Sequence, residues 1–328
     1  MHRGKTEIRL YKMNITKRDN YVDVTKALAM LLVIRIHTEV FGEIHAPYPI
    51  IAVPLFFFLS GFYDDLNKPL RDWFPKVFLR LFCVGVIWVI ISFAYLSLLS
   101  FIKDRTISIS FTINNPLIAG GVTWYLFALF YVKCITWFIH KSRLPSYIIM
   151  IVLFLMGGYI SQFDLPFLLD EGIAALPFYY AGMITYPYIV KLKPQLGWLA
   201  FVGFICILMM HTAWFPLVLI PYTIQAASWY PLFFIMLLFS FCTMLWLGIL
   251  LSSQKWLTSF GKQTLGILVL HPLMLHTCAV ILNRLFVRDS LVWIIIFIFS
   301  YFAICVASYY GSILISKHFP ILLGIRKK

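Results

Sequence analysis

The sequence predicts an all-α polytopic membrane protein with about ten transmembrane helices and both termini in the cytoplasm. Three observations carry this expectation. Of the 328 residues, 62% are hydrophobic and only 12% are charged, with a mean hydropathy of +0.89; soluble domains run nearer half apolar and about a quarter charged. Apolar stretches close to the length needed to cross hydrocarbon recur along the whole chain. Lys and Arg are also unevenly shared between alternate loops, the usual mark of orientation.

Taken in order, residues 1–20 form a basic, polar segment expected in the cytoplasm. The polar stretch is too long for a signal peptide, and no small-residue cleavage site follows it. Spans are expected at 22–41, 49–66, 78–101, 122–139, 146–161, 172–190, 196–213, 230–252, 264–283 and 291–315. Together they make a membrane domain over 21–316, followed by a basic cytoplasmic tail over 317–328. The second span is the least regular: Pro47, Pro49 and Pro54 crowd its start, so it is expected to be broken or partly re-entrant. The longest outer loops fall near 102–121, 161–171 and 212–229.

With the N-terminus inside, the inner segments hold 20 Lys and Arg and the outer loops hold four, while Lys26, Arg35 and Lys133 fall within spans. Topology thus accounts for most of the net charge of +14. The expected partner is the lipid bilayer and not nucleic acid. All six cysteines sit in apolar runs without CxxC spacing and read as small buried hydrophobes, so no metal site is expected.

The first span is the anomaly. "VDVTKALAMLLVIRIHTEVFG" carries Asp23, Lys26, Arg35, His37 and Glu39, although each charge at mid-membrane costs about 2.5–3.5 kcal/mol on insertion scales. Lys26 and His37 are eleven residues apart, within about 20° of three full helical turns and about 16 Å apart along the axis. They share one face, with Lys26 near the inner end and His37 deeper. This pattern suits an anionic substrate entering from the cytoplasm. The plainer readings are that Lys26 snorkels beside Asp23 and that His37 makes a structural hydrogen bond. Arg35 points to another side of the helix.

Other candidates follow along the chain. Ser60, in "PLFFFLSGFYDDL", lacks a nucleophile-elbow context and reads first as a packing or turn residue. Arg71, Lys76 and Arg80, in "NKPLRDWFPKVFLRL", suit either inner-loop topology or a clamp for a phosphorylated cytosolic donor. Trp124 and Tyr125 open the fourth span and fit an interfacial belt. Asp170 opens the sixth. His271, before Pro272, is an imidazole within a span and hence either functional or a structural core histidine. His276, five residues on, is expected to face elsewhere.

The segments "VDVTKALAMLLVIRIH", "PLFFFLSGFY", "GVTWYLFALF", "DEGIAALPFYYAGM" and "FGKQTLGILVLH" stand in this order over residues 21–275. The series resembles the acyltransferase-3 family of integral membrane acyltransferases, and within it the branch named for fucose 4-O-acetylase. That resemblance implies transfer of an acyl group, with acetyl the expected one, from cytosolic acyl-CoA to a sugar hydroxyl of a surface polysaccharide or its lipid-linked precursor at the cell membrane. The implied partners are acyl-CoA as donor substrate and a carbohydrate acceptor, with no bound cofactor. The family's first helix carries a basic residue, ten residues, then His; Lys26 and His37 match that spacing, which implies a catalytic His37 with Lys26 on the donor path. Its Arg-x-x-Arg pair near the CoA phosphates is met only in part: Arg80 fits, Val77 stands at the first position, and Lys76 is one residue off. Glu39, two residues past His37, is an acceptor-side candidate. The rival class is a multi-pass transporter or flippase of a glycoconjugate, which also needs many spans and buried charge. Transporters often show paired internal repeats, and none is visible here.

Overall fold

The computed structural model describes residues 19–38, 51–64, 66–104, 121–142, 144–160, 163, 165, 168–191, 195–211, 219–220, 223–224, 230–285 and 290–325. Glu39, the basic segment up to residue 18, the loop 105–120 and the last three residues lie outside them. Helices dominate: α1 (Asn20–His37), α2 (Ala52–Gly61), α3 (Leu70–Val77), a π-helical turn (Phe78–Cys83), α4 (Val84–Asp104), α5 (Trp124–Lys141) and α6 (Ser146–Ile160). They continue with α7 (Leu169–Lys191), α8 (Leu196–His211), α9 (Tyr230–Leu250), α10 (Lys255–Lys262), α11 (Thr264–Leu285) and α12 (Leu291–His318), closed by a short 3-10 turn (Pro320–Leu323). Two paired two-residue strands, Leu219–Ile220 and Thr223–Ile224, lie between α8 and α9, a local departure from the all-helical expectation.

Each of the ten expected segments overlaps a helix. Among the described residues, five helical stretches are long and apolar enough to cross a membrane: Leu70–Ile102, Gly121–Lys141, Leu232–Leu250, Thr264–Leu282 and Leu291–His318. Three more, Ala52–Gly61, Tyr147–Gly157 and Leu196–Met210, are apolar but shorter. At 1.5 Å per residue, α2 reaches only about half of a 30 Å hydrocarbon core, which agrees with a broken second span. α1 and α7 are long but more polar, and protein encloses them. Ten of the 18 residues of α1 are buried, Asp23 among them. Asp170 and Glu171 at the start of α7 are buried as well, at the end where a helix dipole favours negative charge.

Two helices lie where inner loops were expected. α3 and α10 are amphipathic: Trp73 is buried in α3 while Arg71 and Lys76 are exposed, and Leu257 and Phe260 are buried in α10 while Lys255 and Lys262 are exposed. Their brevity and charge hid them from a search for long apolar runs. α3 continues through the π turn into α4 as one rod. At its far end α12 begins with Ser290, whose side chain accepts a hydrogen bond from the Trp293 N–H at 3.2 Å, an ordinary N-cap.

Glycines set how closely the helices approach. A Cβ at Gly61 on α2 would strike the Tyr179 carbonyl of α7, and one at Gly182 on α7 would strike the Phe58 carbonyl of α2. This reciprocal contact is the small-residue packing that membrane helices use when no hydrophobic force drives them together. Gly248 on α9 and Gly261 on α10 meet the α1 backbone in the same manner, at Tyr21 and Asp23. Gly182→Ala is therefore expected to force α2 and α7 apart and cost about 1–3 kcal/mol, read as a lower thermal midpoint in detergent. Gly197→Ala, whose new methyl would meet Trp246 at an ordinary 3.4 Å, should leave the midpoint unchanged.

Candidate active site

The charged face of α1 opens into a cavity of about 640 Å³ lined by Lys26, Met30, Val33 and His37 from that helix, a size typical of small-molecule sites. α2 contributes Phe56 and Ser60, and the segment after it contributes Tyr63, Asp64 and Lys68. The α3 rod supplies Trp73, Lys76 and Arg80; α5 supplies Trp124, Tyr125 and Lys133; Lys262 and Thr264 close the wall at the α10–α11 junction. Helical periodicity alone places Lys26 and His37 on one face, and the fold turns that face toward this space.

The charge of the lining is one-sided. Among the described residues, six cations, Lys26, Lys68, Lys76, Arg80, Lys133 and Lys262, share it with one carboxylate, Asp64. Lys68, Lys76, Arg80 and Lys262 are exposed and form the rim, whereas Lys26 and Lys133 are half-buried within. Lys133 Nζ lies 2.9 Å from Asp64 Oδ2 and donates to the Tyr179 hydroxyl at 3.2 Å. The Tyr179 hydroxyl in turn donates to Asp64 Oδ2. This trio ties the segment after α2 to α5 and α7. Lys133 is visible in the sequence as a charge within a span, yet its partner Asp64 lies 69 residues away and nothing local joins them.

Arg80 and Lys76 explain the irregular basic pair. Residues three and four apart on a helix share a face, so Lys76, one position off an Arg-x-x-Arg spacing, still lines the cavity beside Arg80. Arg80 sits in the π turn, a feature that often marks functional positions. The C-terminal 3-10 turn braces it: Trp88 Nε1 on α4 donates to the Leu322 carbonyl at 2.8 Å. Gly324, at φ +64°, closes on the Arg80 backbone so tightly that a Cβ would come within 2.7 Å of the Arg80 Cα. A positive φ and no space for a side chain together require glycine there.

Deeper in, His37 is half-buried. Its ring packs against that of His271 on α11, with centroids 5.4 Å apart and planes at 44°. His271 is wholly buried, and its Nδ1 lies 2.9 Å from the Ile267 carbonyl. Ser60 Oγ donates to the Phe56 carbonyl at 2.7 Å and sits 3.4 Å from the Tyr125 hydroxyl, in keeping with a packing role inside the cavity wall. Trp124 is half-buried in the same wall.

The remaining candidates are elsewhere. Arg71 does not line the cavity: it is 89% exposed and sits 3.6 Å from Asp72, because a position five before Lys76 turns to another side of α3. Asp170 is buried at the start of α7, away from the lining. His276 was expected to face elsewhere, and it does not line the cavity. Among the described residues, no group of three or more His, Cys, Asp or Glu is arranged to hold a metal ion.

A family model described as an acyltransferase domain matches residues 19–317, which takes in α1, every described wall of the cavity and all but the last residue of α12. No curated protein and no solved structure matches the chain. The match spans nearly the whole sequence, and the multi-pass membrane protein described above belongs to the acyltransferase-3 family and is an acyltransferase.

Proposed function

We propose that the protein transfers an acetyl group from cytosolic acetyl-CoA to a sugar hydroxyl of a surface polysaccharide or its lipid-linked precursor. Within the family, the fucose 4-O-acetylase-like branch is the proposed placement. The observation that carries this reading is the shared cavity: six cations toward its rim and walls, and an imidazole about 16 Å along α1 from Lys26. A CoA thioester has the same layout, several phosphate charges at one end and the acyl carbon at the end of a thin arm. Charge-assisted bonds from Lys and Arg to phosphate are among the strong ones, and Arg80 adds a planar fork suited to phosphate oxygens.

In this reading His37 takes the proton of the acceptor hydroxyl as the oxygen bonds to the thioester carbonyl carbon. The C–S bond then breaks, and the departing thiolate receives the proton from His37. Imidazole suits both steps because it is ordinarily neutral near pH 7 and exchanges protons readily. Lys26 holds the donor in line between rim and ring. Metal is not part of the proposal. The proposed membrane is the cell membrane, crossed about ten times with both ends in the cytoplasm, so that the cation rim faces the cytosolic donor. Glu39 remains a proposed acceptor-side residue on the outer side of His37.

Three outcomes are expected. In native membranes carrying equal amounts of each variant, His37→Ala should lose acetyl transfer by about 10²–10⁴-fold, the usual share of a general base. The readout is radiolabel moving from acetyl-CoA into the carbohydrate fraction. Lys26→Arg should keep part of the activity that Lys26→Ala loses, and His140→Ala, at the exposed end of α5, should match the parent. A fully active His37→Ala would sink the assignment.

Charge reversal at Arg80 should raise the KM for acetyl-CoA with insertion unaffected, and Lys76→Glu should act in the same direction. Arg71→Glu should change it little. Equal effects at all three positions would point to general surface charge and not to this cavity.

For topology, a cysteine placed at Ser110 should react with an impermeant thiol reagent in intact cells whose outer barriers have been opened. Labelling that appears only after lysis would reverse the orientation.

A further inference from the structure

His271 combines three properties that a plain core histidine need not share. It is completely enclosed, with no measurable exposure. One ring nitrogen is committed, since Nδ1 lies 2.9 Å from the carbonyl of Ile267, one turn earlier on the same helix. A carbonyl only accepts, so Nδ1 carries the proton, and Nε2 is left as a lone-pair acceptor. That Nε2 is buried and has no hydrogen-bond partner among the described residues.

A buried acceptor without a donor typically costs about 1–3 kcal/mol, so such a group in a core calls for an explanation. The explanation nearest at hand is His37. Its ring lies against His271 with centroids 5.4 Å apart, a spacing at which one nitrogen of each ring comes within hydrogen-bond reach when the two are turned toward each other. His37 also lines the cavity, so the ring that meets His271 on one side meets the substrate space on the other.

We infer that His271 is a positioning residue for His37: its Nε2 accepts the inward N–H of His37 and so leaves the outward nitrogen unprotonated toward the cavity. This inference rests on the reading of His37 as the base. The logic is that of any base oriented by a third group, with a neutral imidazole where a carboxylate commonly stands. When His37 takes the hydroxyl proton on its outward nitrogen, the inward N–H becomes that of an imidazolium and its bond to His271 becomes charge-assisted and stronger. The stabilisation therefore grows as the proton moves, which is the condition for accelerating a step and not only binding the ground state. A neutral partner also adds no further fixed charge to a helix within the membrane.

The test uses two neutral, polar replacements that divide the two nitrogens of His271. Asn sets its amide near the Nδ1 position and keeps the link to Ile267 but loses the acceptor toward His37. Gln reaches the Nε2 position and restores an acceptor there. Native membranes with equal amounts of protein are assayed for transfer of radiolabel from acetyl-CoA into carbohydrate over a range of acetyl-CoA concentrations. His271→Asn should lower the saturated rate by about 10–100-fold, the range known for groups that orient a metal-ligating histidine, with KM for acetyl-CoA unchanged. His271→Gln should recover a large part of that rate. In parallel, carbethoxylation of His37 by diethyl pyrocarbonate, followed by peptide mass spectrometry, should be slower in His271→Asn than in the parent and restored in His271→Gln. A parental rate in His271→Asn, or equal loss in Asn and Gln, overturns the inference. The two levels separate through His37→Ala: if that variant is inactive while His271→Asn is not, only the positioning role falls. If His37→Ala is fully active, the base assignment falls first.

Discussion

Everything in this molecule is arranged around the difficulty of holding charge in a first helix that hydrocarbon would reject. α1 carries Asp23, Lys26 and Arg35 in 18 residues, and each would be costly against lipid. The answer is enclosure. α2, α9, α10, α11 and α12 all contact α1, and two of them present glycine to its backbone, Gly248 and Gly261, where a side chain would not fit. Once ringed in this way, α1 needs only one open side, and that side holds Lys26 and His37.

The same constraint decides the form of the neighbours. α2 is short and ends at Gly61, whose lack of a side chain lets it lie on the α7 backbone. The chain just beyond it is then free to bring Asp64 to Lys133, so a cation in the middle of α5 is held by a carboxylate and a phenol. Further round, the α3 rod brings Arg80 to the rim through a π turn and is braced from behind by the C-terminal turn at Leu322–Gly324. These contacts are far apart in sequence, yet each places a charge on one surface of one cavity. The result is a gradient: exposed cations at the rim, half-buried cations within, Lys133 of them paired, and imidazole at the deeper end.

Such a gradient separates two tasks that a transferase must perform on one substrate. Attraction of a polyanion depends on charge at the rim, where water and salt also act. Proton transfer depends on the orientation of a ring, and rings are oriented by packing and hydrogen bonds in the dry interior. In the proposed reaction His37 belongs to the second regime, and Arg80 with Lys76 to the first. Lys26 bridges them along a single helical face.

The sequence by itself determined the class of the protein, its apolar segments, the shared face of Lys26 and His37, and the ordered motifs of the family, because composition and helical period are local properties. It also exposed the short, proline-crowded second span. It left open which cations converge, since Lys133 meets Asp64, and Arg80 and Lys262 reach one cavity, only through packing between distant helices. It assigned Arg71 together with Lys76 and Arg80, because a run of basic residues does not reveal which way each turns on an amphipathic helix; only α3, docked through Trp73, sets Lys76 at the cavity rim and Arg71 away from it. The pairing of His37 with His271 belongs to the same class. Two imidazoles 234 residues apart in the chain become neighbours only when the enclosure of α1 is complete.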